Sequence, residues 1–302
     1  MNSREHPWVA RTMLFVPAHR EDLINKAAHS AADCIVLDLQ DATPPNKKAA
    51  ARDTTAKILR SGLLGSKTTM VRVNAPGTDL FQADVESIVC ERLDGVVCPM
   101  VNSSEDIKVL DETLGEVEAQ ADLNSHTPIV ALLETPSGIL NAHPIACSSR
   151  RVIGLMFGAE DFLVEMGTAC DAEGLILHTP RALVAMAARA AGVEAIDTPY
   201  VDVHDLDGLK RHAERGRSLG MSGILVLSPR QIDVAHVVFS PSEEEVRRAQ
   251  EAILQVNGVQ ETGQSYALVD GELVAPAREK RARRVLARNK AIRKMEQESQ
   301  TH

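Results

Sequence analysis

The sequence predicts a (β/α)8 barrel of the TIM type, followed by a C-terminal appendage of helices and a hairpin. Short apolar, β-branched runs alternate eight times with stretches of helical period over roughly 240 residues, the count and length of such a barrel. Several runs, such as Ile129-Val130-Ala131-Leu132-Leu133, are apolar without interruption, as strands buried on both faces are. No Gly-x-Gly-x-x-Gly follows the first run, which disfavours the alternative, an open doubly wound sheet that binds a dinucleotide.

In order, the expected strands are Thr12–Val16, Asp33–Asp38, Thr69–Asn74, Gly95–Pro99, Pro128–Glu134, Arg151–Phe157, Glu194–Asp197 and Gly223–Leu227. Helices are expected near 20–31, 46–61, 79–92, 104–121, 137–147, 179–191, 205–219 and 230–238, and a surface loop over Gly174–Thr179. Residues 10–240 would form the barrel and 241–302 the appendage. In the appendage Ser240-Pro241 starts a helix that Gly258 ends, and Ser265–Ala275 reads as a hairpin around Asp270-Gly271. A basic helix follows over 277–298, with Ala282, Val285, Leu286, Ile292 and Met295 on one stripe.

Composition narrows the function. Hydrophobic residues are 44% and charged residues 25%, which describes a cored protein rather than a disordered chain. Aromatic residues are only 3% and the net charge is −9, a poor basis for nucleic-acid binding. The charge is uneven: residues 278–302 carry +6 and residues 1–277 carry −15. The five cysteines are scattered without a Cys-x-x-Cys pair, and Cys34 and Cys98, in apolar runs, read as reduced core residues rather than redox or zinc groups. No run of ~18 apolar residues and no leader-like N-terminus are present, so a soluble cytoplasmic protein is expected, with no membrane partner.

Polar residues mark the C-terminal strand ends: Asp38 with Asp41, Arg72 with Asn74, Glu134, Asp161, Asp197 and Ser228. In a barrel these ends meet at one face, where barrel enzymes hold their active sites. Glu134 and Asp161 follow strands five and six, so their carboxylates would be neighbours, a usual way to hold Mg2+. The plainer reading is a helix-capping acid and a surface acid. Arg72, in an apolar strand, needs an anionic partner, either a substrate carboxylate or a structural acid such as Asp38 or Asp41. His19 follows the first strand and is a further residue that can face the pocket.

These segments together resemble the citrate lyase β-subunit-like (CitE-like) branch of the HpcH/HpaI aldolase/citrate lyase family. The resemblance runs in order through Arg11-Thr12-Met13-Leu14-Phe15-Val16-Pro17, Val36-Leu37-Asp38-Leu39-Gln40-Asp41 and Val71-Arg72-Val73-Asn74. It continues through Leu133-Glu134-Thr135-Pro136-Ser137-Gly138, Phe157-Gly158-Ala159-Glu160-Asp161 and Ser228-Pro229-Arg230-Gln231. It implies a barrel enzyme that makes or breaks a carbon–carbon bond beside a 2-oxo or 2-hydroxy acid. Malyl-, citramalyl- or citryl-CoA is the usual substrate. It further implies Mg2+ on Glu134 and Asp161, with Arg72 facing the substrate oxygens. Main-chain N–H groups of a Gly158-Ala159-Glu160 loop would meet the substrate carboxylate, and Asp38 and Asp41 would stand behind Arg72. Such barrels commonly assemble as trimers or multiples of three, in which C-terminal segments cover a neighbour's active-site mouth.

The chain also departs from that pattern. Gln40, Met100, Ile224 and Ser228 stand where the branch often has Glu, Lys, Lys and His. In Gly271-Glu272-Leu273-Val274-Ala275-Pro276 an alanine takes the place of the Asp that serves as acid or base. The expected function is therefore a Mg2+-dependent carbon–carbon lyase with a CoA thioester and a 2-oxo acid as partners. The alternatives are an aldolase of free 2-oxo acids, a citrate lyase β-type subunit dependent on partner chains, and a catalytically idle relative. Thioester hydrolysis is disfavoured by Ala275.

Overall fold

A computed structural model describes residues 8–124, 126–170, 174–261, 267–269, 272–274 and 276–300; for 258–261, the 267–269 and 272–274 strands, 276, 299 and 300 it describes the backbone alone. The backbone divides into two compact units, Ala10–His236 and a second that holds Val237 onward.

The first unit is a closed barrel of eight parallel strands in chain order: β1 (Thr12–Pro17), β2 (Cys34–Asp38), β3 (Thr68–Arg72), β4 (Gly95–Cys98), β5 (Ile129–Leu133), β6 (Val152–Phe157), β7 (Glu194–Asp197) and β8 (Gly223–Val226). β8 returns to β1, where Met13 pairs with Leu225. Every residue of β2, β4, β5 and β8 is buried, which is why these runs carry no polar alternation. The outer layer is α1 (Glu21–Ala28), α2 (Lys48–Ser61), α3 (Phe81–Ile88), α4 (Ser104–Gln120), α5 (Pro136–Leu140), α6 (Ala142–Cys147), α7 (Ala159–Glu165), α8 (His178–Ala191), α9 (Leu206–Leu219) and α10 (Ile232–Phe239), the division between the units falling within α10. Local chemistry sets their ends. Ser103 and Asp106 form a reciprocal capping box on α4, Asp205 caps α9, and Gly192 and Gly220 close α8 and α9 at φ 73° and 106°.

At the N-terminal rim buried arginines tie strands and helices together. Arg11 grips Asp33 through Nε and Nη2 at 2.9 and 2.8 Å, and His236 of α10 reaches both Asp33 Oδ1 (3.2 Å) and Thr12 Oγ1 (3.0 Å). Arg151 binds Glu118 at 2.7 Å and Asp111 at 2.5 Å.

Several expectations change. The single helix over 137–147 is two, α5 and α6, because Pro144 has no N–H to continue the ladder. The loop over Gly174–Thr179 is a 3-10 turn, Leu175–Leu177, that leads into α8 with Leu177 buried. The stretch after β6 is a helix, α7, with Gly158 at its N-cap and Glu160 and Asp161 in its first turn.

The second unit holds α11 (Glu243–Glu261), an antiparallel pair of short strands, β9 (Ala267–Val269) and β10 (Glu272–Val274), and α12 (Pro276–Gln300). Ser242, not Ser240, caps α11, exchanging hydrogen bonds with Glu245 at 2.8 and 3.1 Å. α11 runs through Gly258 to Glu261 instead of ending at it. α11 and α12 meet through Ala249, Ala252 and Ala282, flanked by Ile253, Val285 and Leu286, which accounts for part of the apolar stripe. Asp270, Gly271 and Ala275 lie outside the described residues. No described helix is long and apolar enough to cross a membrane.

Candidate active site

The barrel gathers the strand-end residues at its C-terminal face. Asp38, the last residue of β2 and 1% exposed, accepts Arg72 Nε at 2.8 Å and Arg72 Nη2 at 2.6 Å. The same carboxylate accepts the main-chain N–H groups of Gln40 (2.8 Å) and Ala42 (3.0 Å). Asp41 lies 3.3 Å from Arg72 Nη1, and the guanidinium carbon stands 5.2 Å from the centroid of the Phe15 ring. Arg72 therefore has two acid partners within the protein, and its Nη1 edge is the less committed one. Asp41 is mostly exposed, yet its carboxyl is held above the ordinary range. Partial burial raises it, Arg72 opposes, and the charges of Asp38 and Asp161 add to the rise.

Glu134 follows β5 and is 1% exposed. Burial, followed by a hydrogen bond with Asp161, pushes its carboxyl up to about 8 against the pull of Arg72. The other Glu134 oxygen, Oε1, is buried and meets no hydrogen-bond partner. Asp161 itself is exposed, in the first turn of α7.

Gly158 makes room for this arrangement. A Cβ built on it would lie 2.6 Å from Glu134 Cγ, too close for any other residue. Gly138 is constrained in the same way by Val101 O, 2.2 Å from its Cβ position, which holds the turn after Glu134 close to β4. The expected role of the 158–160 main chain needs correction. Gly158 N–H donates to Leu133 O (3.0 Å) and Ala159 N–H to Thr198 Oγ1 (2.9 Å), so both are already used. Glu160 and Asp161 N–H groups remain as first-turn donors without an intrahelical acceptor, as helix geometry requires.

Other marked residues serve the scaffold. Asp197 is fully buried, bound to Arg181 Nε at 2.8 Å and to Thr198 N–H at 2.9 Å, and its second oxygen is packed against Gly216. His212 lies beside Arg181, and burial lowers its imidazole to about 4. Ser228 caps a 3-10 turn, and Asn74 binds Asp84 at 2.6 Å. Sequence reading missed Lys48, whose ammonium donates to Leu39 O (2.7 Å), Gln40 O (2.6 Å) and Asn74 Oδ1 (3.2 Å). It staples the loop bearing Asp41 to the end of β3. Thr198 was missed as well.

Two adjoining carboxylates, one with a buried unpartnered oxygen, fit a hard divalent cation whose other sites go to water and substrate. Among the described residues no group of three or more His, Cys, Asp or Glu side chains gathers to hold a metal, so a fully protein-ligated ion does not fit. With this geometry in hand, the sequence profile of the family HpcH/HpaI aldolase/citrate lyase matches residues 11–229. The chain belongs to that family. Among curated members, a (3S)-malyl-CoA thioesterase of Cereibacter sphaeroides is 34% identical over 97% of this chain and 98% of its own. The citrate lyase subunit beta of Haemophilus influenzae is 32% identical over 93% and 97%. Among solved structures, CitE of Mycobacterium tuberculosis, in complex with magnesium, acetoacetate and coenzyme A, superposes with a TM-score of 0.75 at 26% identity, covering 93% of this chain and 98% of that one. A citrate lyase structure from Burkholderia xenovorans, at 19% identity and a TM-score of 0.85, shares the fold.

Proposed function

We propose that this HpcH/HpaI family member is a Mg2+-dependent carbon–carbon lyase. Its substrate is a CoA-linked 3-hydroxy acid of the malyl, citramalyl or citryl kind, and its products are a 2-oxo acid and an acyl-CoA. The observation that carries this reading is the buried Glu134 carboxyl, with Oε1 unpartnered and Asp161 beside it, on the barrel face that also holds Arg72. Magnesium in the related CitE structures supports it.

Glu134 and Asp161 are the residues that would hold Mg2+, which supplies Lewis-acid polarisation of the hydroxyl and carboxylate oxygens when bound. Arg72 stabilises the oxygen that becomes the product carbonyl. Locked to Asp38 through Nε and Nη2, the guanidinium is pre-oriented and loses no rotational freedom on binding. Arginine also keeps its proton throughout. The Glu160 N–H is the main-chain donor best suited to the substrate carboxylate, at the positive end of α7. Cleavage of malyl-, citramalyl- and citryl-CoA by the purified protein, with and without Mg2+, tests the reading. Turnover that depends on Mg2+ supports it, and no turnover on any of the three rejects it.

Thioester hydrolysis is the second reading, favoured by the likeness to the malyl-CoA thioesterase. Free CoA released in step with substrate loss, without an acyl-CoA product, would decide for it.

The chain is further proposed to work as a homo-oligomer, a trimer or a multiple of three, with residues 241–302 as lid and subunit contact. The +6 charge of 278–302 against −15 elsewhere, with Ile292 and Ala282 buried on α12, supports a docked helix rather than a solvated one. Truncation after Gln264 should shift the oligomer on a sizing column or raise KM for the CoA substrate.

A further inference from the structure

Among the described residues five buried side-chain atoms lack a hydrogen-bond partner: His19 Nδ1, Gln40 Oε1, Glu134 Oε1, Asp197 Oδ2 and Gln255 Oε1. Such atoms are rare in native proteins, and each asks for a reason. Asp197 Oδ2 belongs to the outer layer, 2.1 Å from where a Cβ on Gly216 of α9 would stand. Gln255 lies on α11 of the second unit. The other three share the C-terminal face of the barrel, where a ligand would supply the missing partners.

His19 is the informative one. It stands two residues past the end of β1, directly after Ala18, whose N–H donates to Asp38 O at 3.1 Å. That bond fixes the residue before His19 to the same Asp38 that grips Arg72. Gln40, the second orphan, follows Asp38 on the neighbouring loop. Several other polar groups of this face are engaged, although Glu134 Oε1 is not. Arg72 does not give up a proton, and Asp41 is paired with it. Lys48 spends its ammonium on two carbonyls and Asn74. Glu134 and Asp161 face each other. Thr198 accepts Ala159 N–H. Among the described residues, Glu134 Oε1 is accounted for by the proposed cation site, and His19 keeps a buried ring nitrogen with no hydrogen-bond partner.

We propose that His19 is the catalytic acid–base of this chain, an assignment that rests on the lyase reading above. His19 Nδ1 accepts the proton of the substrate's 3-hydroxyl. The bond between C2 and C3 breaks, its electron pair passing to C2 as the thioester enolate, while C3 and its oxygen become the carbonyl of the 2-oxo acid. The imidazolium then returns the proton to C2, giving the acyl-CoA. One proton moves from oxygen to carbon, and neither an oxidant nor an added co-reactant is needed. This assigns to β1 the acid–base work that Ala275 cannot do.

Two variants separate the possibilities. His19→Asn keeps a hydrogen-bonding group near the Nδ1 position but cannot relay a proton. His19→Phe keeps a ring and removes both functions. Three quantities are read: thioester cleavage, exchange of acetyl-CoA methyl protons into D2O by NMR with glyoxylate absent, and calorimetric affinity for glyoxylate with Mg2+. In His19→Asn, cleavage and exchange should both fall by about 10²–10³-fold, with glyoxylate affinity within about threefold of the parent. In His19→Phe the affinity falls as well. His19→Asn with cleavage and exchange within about threefold of the parent overturns the assignment and leaves the lyase reading standing. A parent protein inert in cleavage and exchange overturns both.

Discussion

Two residues at the face carry more than one duty, and substitution separates them. Arg72 orients itself on Asp38 and also fills the charge requirement of that buried acid. Arg72→Lys keeps the charge and loses the planar fork, so activity should fall by roughly 10²-fold. Because Asp38 then loses a bidentate partner, the melting temperature should drop too, by several degrees, rather than remain where a purely substrate-facing arginine would leave it. Activity loss with no change in melting temperature would show the pair to be energetically idle. Gly158 is the second such residue. Gly158→Ala puts a methyl group 2.6 Å from Glu134 Cγ, so Glu134 must move. Mg2+ affinity should weaken by about tenfold or more in a protein whose circular dichroism is unchanged. This steric duty could not be read from the sequence, where Gly158 looked like a donor of its N–H group. Both partners of that correction, Leu133 O at the end of β5 and Glu134 Cγ just after it, are distant in sequence.

The loop joining β2 to α2 is held from several sides: Asp38 caps its N–H groups, Thr43 Oγ1 donates to Asp38 O at 2.7 Å, and Lys48 binds two of its carbonyls. Lys48→Met should lower kcat by roughly tenfold with a smaller change in KM, since the loop positions Asp41 and Arg72 rather than binding substrate itself. Steady-state kinetics checks this, and an unchanged kcat would make the staple dispensable. Strands were the most legible elements. Their continuous apolar runs follow directly from burial on both faces, and the ends of β7 fall as expected at Glu194 and Asp197. The short α7 was not legible, because it starts directly after Gly158 at the end of β6 and spans only seven residues, too few to show a helical period. Its signal was the pair of acids, Glu160 and Asp161, in what proved to be a first helical turn. Lys48 and Thr198 escaped for another reason: their partners lie on other loops, and no local pattern marks a lysine that binds carbonyls or a threonine that accepts a distant N–H.

At the scale of the whole barrel, closure at the N-terminal rim depends on the Arg11, Asp33 and His236 cluster, which links β1, the start of β2 and α10. Burial alone would raise the Asp33 carboxyl, but Arg11 and then His236 override it and hold it down at about 2. A carboxyl with a lowered folded-state value contributes its stability above the unfolded value of 3.8 and loses it as pH falls towards 2. Acid unfolding followed between those limits should therefore show a loss of about 2 kcal/mol that Asp33→Asn removes. An equal acid slope in Asp33→Asn would place the sensitivity elsewhere. The opposite end of the same barrel holds the central claim, that Glu134 and Asp161 together form a cation site. Isothermal titration of the metal-free protein with Mg2+, repeated on Glu134→Gln, tests it most directly. One saturable site is expected in the parent, weakened at least tenfold in a folded Glu134→Gln protein; equal Mg2+ binding by both, or none by the parent, would contradict a cation site at these two carboxylates.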